Sequence, residues 1–76
     1  MLKKVSIKED YIKLDSLLKF IGEAATGGHA KILISNGEVK VNNEVCLMRG
    51  KKIRKGDTVQ INLKEFIIEW WLLKKL

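Results

Sequence analysis

The densest chemistry in the sequence is the run Arg49-Gly50-Lys51-Lys52-Ile53-Arg54-Lys55-Gly56-Asp57, which puts five cations within seven positions. Like charges this close repel one another unless solvent or a polyanion screens them. Arg and Lys bound to phosphates gain from release of the counterions condensed on a nucleic acid. Only Ile53 interrupts the run as a core anchor, so the charges are expected to project from a loop or strand edge. No aromatic residue interleaves with them in sequence, unlike the platforms on which single strands stack. The run therefore favours recognition of the backbone and shape of folded RNA over reading of bases.

The other reactive side chains form no constellation. Gly22-x-x-x-x-Gly27-Gly28-His29 has the glycine spacing of a phosphate loop but lacks the Lys-Ser/Thr that must follow, and it comes after a helical segment rather than a strand. His29 has no Cys or Ser near it in sequence with which to form a nucleophile pair. Together with Cys46 it falls short of a zinc set, and Cys46 has no second cysteine for an internal disulfide. Cys46 lies in an alternating segment and reads as a small buried hydrophobe. Asp15, Glu23, Glu38 and Asp57 each sit beside a cap or turn, a poor arrangement for paired acid–base chemistry. No catalytic residue, metal ion or cofactor is expected.

The elements that must carry the basic run belong to a chain of 76 residues, which predicts one small domain over residues 1–76 with no room for a second core. An apolar share of 46% with hydrophobic runs throughout marks a globular chain rather than a disordered one. No apolar run approaches the ~20 residues of a membrane-spanning helix. The N-terminus leads into a charged segment rather than a signal-peptide core, so a cytoplasmic protein with no membrane contact is expected. The net charge of +6 is unevenly placed: residues 39–63 carry six Lys and Arg against Glu44 and Asp57. Such asymmetry suits a polyanionic partner, although charge alone fits a solvated basic face as well.

Val5 and Ile7 alternate with polar neighbours and predict a short strand. Leu14, Leu17, Leu18 and Ile21 fall at i, i+3, i+4 and i+7, one face of an amphipathic helix, with Asp15 and Ser16 in its first turn and Gly22 at its end. Thr26 is placed to cap a second helix, in which Ala30, Leu33 and Ile34 repeat the spacing and Asn36-Gly37 ends it. Val39 and Val41 precede a turn at Asn42-Asn43, with Val45 and Leu47 on the return strand. Val59, Ile61 and Leu63 alternate as a further strand. The order predicts an α+β fold, with two short helices packed on a small antiparallel or mixed sheet. Its expected core holds Leu14, Leu17, Leu18, Ile21, Ala30, Leu33, Ile34, Val39, Val41, Val59 and Ile61.

The tail over residues 64–76 contains Phe66-Ile67-Ile68-Glu69-Trp70-Trp71-Leu72-Leu73 and fits two readings. Phe66, Trp70 and Leu73 share a helical face, while the same run also suits a strand buried on both sides. Its apolar surface would pack within the domain, form a dimer or partner contact through Trp70 and Trp71, or touch a membrane surface.

The order of these motifs resembles the S-four RNA-binding domain, the module named for ribosomal small-subunit protein four and also called the αL motif. The resemblance runs from Lys13-Leu14-Asp15-x-x-Leu18, through Ala30-Lys31-x-x-Ile34-x-x-Gly37-x-Val39-x-Val41-Asn42, to Lys55-Gly56-Asp57-x-Val59, a core of about residues 12–61. Gly27-Gly28-x-Ala30-Lys31 and Arg49-Gly50-Lys51-Lys52 are similar to the free-standing bacterial members, and the initial Met1 fits that form. The resemblance implies binding of structured RNA, mostly ribosomal or transfer RNA, through the two-helix face and the adjoining β-loop. Carried over by position, Lys13, Lys19, Lys31, Lys40, Arg49, Lys51, Lys52, Arg54 and Lys55 are the expected contacts. Many members have arginine where Lys13 and Gly27 stand. At the second position the amides of Gly27, Gly28 and His29 would have to meet a phosphate at the helix start. The usual Val-Asn-Gly turn is Val41-Asn42-Asn43 here.

The function expected from residues and resemblance together is RNA binding without catalysis, with ribosomal RNA or the ribosome as partner. The chain would act as a monomer or a weak dimer through Trp70 and Trp71. Two alternatives are a protein-interaction module built on the Trp-rich tail and an accessory domain of an RNA-modifying enzyme or synthetase.

Overall fold

The spacing of Leu14, Leu17 and Leu18 produces a helix, α1 (Leu14–Phe20), whose apolar side is completely buried. It ends in a Schellman turn. Gly22 adopts φ +82°, and the amides of Gly22 and Glu23 donate to the carbonyls of Lys19 and Leu18. Ile21, expected in the core, is the C-cap residue and packs half-buried at the core's edge. The computed structural model describes residues 2–70, with Trp70 described through its backbone alone. In the second helix, α2 (Gly27–Ser35), Thr26 accepts the His29 amide at 3.0 Å as the N-cap, and Gly37 closes the far end with the same Schellman pattern.

The strands are β1 (Leu2–Ile7), β2 (Tyr11–Lys13), β3 (Lys40–Val41), β4 (Glu44–Val45), β5 (Lys52–Arg54), β6 (Thr58–Ile61) and β7 (Lys64–Trp70). Five of them form a mixed sheet in the order β1-β7-β6-β3-β4, with β1 parallel to β7 and the other pairs antiparallel. The remaining two, β2 and β5, form a separate antiparallel pair. Val5, Ile7, Val41, Val59, Ile61, Phe66 and Ile68 join the helical leucines, Ala30, Ile34, Val39 and Ile53 in one buried cluster. The α+β architecture with two short helices on a mixed sheet is the one the sequence predicts.

Two strand expectations need correction. Leu63 is not in a strand: it forms a two-residue turn with Asn62, at φ +65° and 53°, and is 99% exposed. Register explains this, because β6 and β7 pair Ile61 with Lys64 and leave two residues for the reversal. The strand after Asn42-Asn43 stops at Val45, with Val45 and Leu47 both exposed. Cys46 follows it half-buried, its amide donating to the Val39 carbonyl. Of the two readings of the tail, the segment to Trp70 takes the strand, since β1 and β6 pair with it on either side. The expected packing of the Trp70 and Trp71 rings lies outside the described residues.

A polar latch joins the end of α1 to the β6–β7 turn. Glu23 accepts from the Lys64 ammonium at 2.9 Å and from the Asn62 amide at 3.4 Å. The hydrogen bond from Lys64 holds the Glu23 carboxyl below its ordinary range against the opposing effect of burial.

Candidate nucleic-acid interface

Alternation along β2 and β5 sorts their side chains. Tyr11 pairs with Arg54, Ile12 with Ile53 and Lys13 with Lys52. Ile53 is fully buried and Ile12 half-buried against it, so the solvent side of the ribbon carries Tyr11, Lys13, Lys52 and Arg54. The Ile53 anchor expected from sequence is what fixes this presentation. The Tyr11 ring lies beneath two cations: its centroid is 4.9 Å from the Lys52 ammonium and 5.7 Å from the Arg54 guanidinium carbon.

Arg49 and Lys51 reach the same neighbourhood by a backbone route. Lys13 is the N-cap of α1 and makes no side-chain capping bond. The carbonyl of Lys51 instead accepts the Leu14 amide at 2.9 Å, and the carbonyl of Arg49 accepts the Asp15 amide at 3.0 Å. These bonds satisfy two of the free N–H groups at the helix start and strap the basic loop to it. Both side chains stay exposed, as does that of Lys55.

Asp57 shapes the far end of the run. Its carboxylate accepts the Arg54 amide at 2.8 Å and the Asn42 side-chain amide at 3.1 Å. Asn42 in turn accepts the Thr58 amide at 3.0 Å, which joins the β5–β6 turn to the β3–β4 hairpin. Gly56 and Ile68 add backbone bonds that dock this turn on β7. Asp57 is therefore a turn-building carboxylate, as its place in the sequence suggests.

Among the described residues, Lys13, Arg49, Lys51, Lys52 and Arg54 have no carboxylate within salt-bridge distance. The fold thus clusters cations with no paired carboxylate on the ribbon and its adjoining loop, beside Asp15 in the first turn of α1. The other candidates are more dispersed. Lys19 is exposed near the opposite end of α1, roughly 9 Å along the axis from Lys13 at 1.5 Å per residue. Lys31 is exposed on α2. Lys40 lines a groove on the main sheet with Glu38, Gln60, Asn62, Lys64 and Glu65, a lining of both charge signs.

At the start of α2 the three amides are not equivalent. The His29 amide is already donated to Thr26, and the His29 ring accepts the Ala25 amide through Nδ1 at 3.2 Å, which makes this residue part of the cap. Gly27 and Gly28 keep first-turn amides with no acceptor inside the helix.

Sequence reasoning missed Tyr11. The run itself contains no aromatic residue, but strand pairing brings one from the other end of the motif into its midst. The available signal was the alternation of Tyr11, Ile12 and Lys13, too short to stand out as a strand.

The chain belongs to the S4 domain family, whose model matches residues 5–69. It is 39% identical over 61 residues to the Bacillus subtilis protein named probable ribosome maturation protein RlbA, an alignment covering 80% of this chain and 86% of that one. Its structure is similar to the solution structure of YbcJ from E. coli, described as revealing an αL motif involved in RNA binding. That likeness has a TM-score of 0.63 at 31% identity and covers 90% of this chain and 85% of YbcJ. The fold is also shared with the 30S ribosomal protein S4e from Thermoplasma acidophilum, with a TM-score of 0.57 at 19% identity over 76% of this chain and 31% of that one.

Proposed function

We propose that this protein is a non-catalytic RNA-binding module that engages structured ribosomal RNA in the cytoplasm during ribosome maturation. The observation that carries this reading is the clustering of Lys13, Arg49, Lys51, Lys52 and Arg54, none with a carboxylate in salt-bridge range among the described residues, on one ribbon and its adjoining loop. Such a surface gains free energy when phosphates replace condensed counterions. Membership of the S4 domain family, the RNA-binding description of YbcJ and the name of the B. subtilis relative support the same reading. Lys19, Lys31 and the Gly27 and Gly28 amides would extend the contact along the helices, while Lys40 would contribute least.

Crosslinking in living cells followed by sequencing of the bound RNA tests this reading. Enrichment of discrete ribosomal RNA segments is expected, and its loss when Arg49, Lys51, Lys52 and Arg54 are replaced by Gln. Crosslinks distributed like the total RNA of the cell, with no enriched segment, would contradict it.

A further inference from the structure

We propose that Tyr11 is a stacking platform for a single unpaired nucleobase, so that the preferred RNA carries a bulged or looped-out residue beside the helix whose phosphates the cations hold. This rests on the RNA-binding reading above and adds the feature of RNA that is selected. Tyr11 is 36% exposed on the solvent side of the β2–β5 ribbon, while the neighbouring Ile12 and Ile53 fix that ribbon to the core. An aromatic ring presented from a pinned strand loses little freedom when a base settles on it. Lys52 and Arg54 flank the ring and Lys13 shares its face of the ribbon, all exposed and with no carboxylate in salt-bridge range among the described residues. The Lys52 ammonium and the Arg54 guanidinium lie close enough to the ring for cation–π attraction. Phosphates compete for both cations, and their withdrawal frees the ring for a base.

A continuous RNA duplex cannot use this ring. Its bases are covered by stacked neighbours, and its major groove is too deep and narrow for side chains to read. An unpaired base has a free face, and every base can stack, so the platform selects structure rather than letter. The arrangement differs from a surface that holds phosphates alone, which would treat paired and bulged RNA alike.

The test compares a fully paired RNA hairpin with the same hairpin carrying one bulged fluorescent adenine analogue. Affinities are measured for wild type, Tyr11→Phe and Tyr11→Leu, with fluorescence of the analogue as a direct report of stacking. Wild type and Tyr11→Phe should prefer the bulged hairpin and quench the analogue. In Tyr11→Leu that preference, read as the ratio of the two affinities, should shrink by about 5- to 100-fold, with loss of quenching. Equal weakening toward both hairpins in Tyr11→Leu would show that the ring only braces the cations, and would overturn the proposal. Unchanged preference and quenching in Tyr11→Leu would overturn it too. Wild type that binds neither hairpin at low salt would refute the RNA-binding reading itself.

Discussion

Lys13 and Lys52 stand directly opposite one another across the β2–β5 pair, both exposed and with no carboxylate in salt-bridge range among the described residues. Like charges in that position destabilise a sheet. Lys13 is also the N-cap of α1, where the helix dipole disfavours a cation. Neither feature helps folding, and both suit a surface that awaits phosphate. Replacing Lys13 by Gln should therefore raise stability by about 0.5–1 kcal/mol while weakening RNA binding. Denaturant unfolding and RNA titration on the same variant check the two halves of this expectation.

Gly27 offers the reverse experiment. A side chain built there meets nothing within 4 Å, and its backbone is not in the left-handed region. Gly27→Arg should fold normally, and its guanidinium should add about one phosphate contact. The slope of log affinity against log salt should then steepen by ~0.7–0.9. A salt titration with an unchanged slope would remove the start of α2 from the interface.

Acid should loosen the latch at Glu23. Lys64 lowers the carboxyl below its ordinary value of 4.5, so the folded state holds its proton less tightly than the unfolded chain. The resulting stabilisation is fully present above pH 4.5 and is lost as pH falls through the lower folded value. Because Lys64 is partly exposed, the gain is at most about 1 kcal/mol. Glu23→Gln should be the less stable protein at neutral pH, with the difference narrowing in acid. Thermal melts across that range measure it.

What the sequence disclosed was mostly local. The Leu14, Leu17 and Leu18 spacing, the Thr26 cap, the Gly37 stop and the Asn42-Asn43 turn each depend on residues within a few positions of one another. Ile53 stood out because it is apolar among charges. Leu63 misled because its apolar side chain continues the alternation of Val59 and Ile61, whereas pairing with β7 forces it into the turn. The strand character of residues 64–70 depends on partners on both sides, one of them β1 at the other end of the chain. Tyr11 was hidden for the same reason, since the strand that brings it to Arg54 is defined by pairing and not by periodicity.

The measurement that bears most directly on the central claim is RNA affinity as a function of salt for three proteins: wild type, the quadruple Gln variant at Arg49, Lys51, Lys52 and Arg54, and a Lys3→Gln/Lys4→Gln control on β1. All four basic side chains are exposed, so their replacement should leave the core intact, which circular dichroism verifies. Loss of four phosphate contacts should lower the slope of log affinity against log salt by roughly three. Affinity should fall by a similar factor for unrelated RNA sequences of the same shape. The control should change much less, because Lys3 and Lys4 lie on a strand at the edge of the main sheet. Equal losses per charge removed in the two variants, or an unchanged slope in the quadruple variant, would contradict the account.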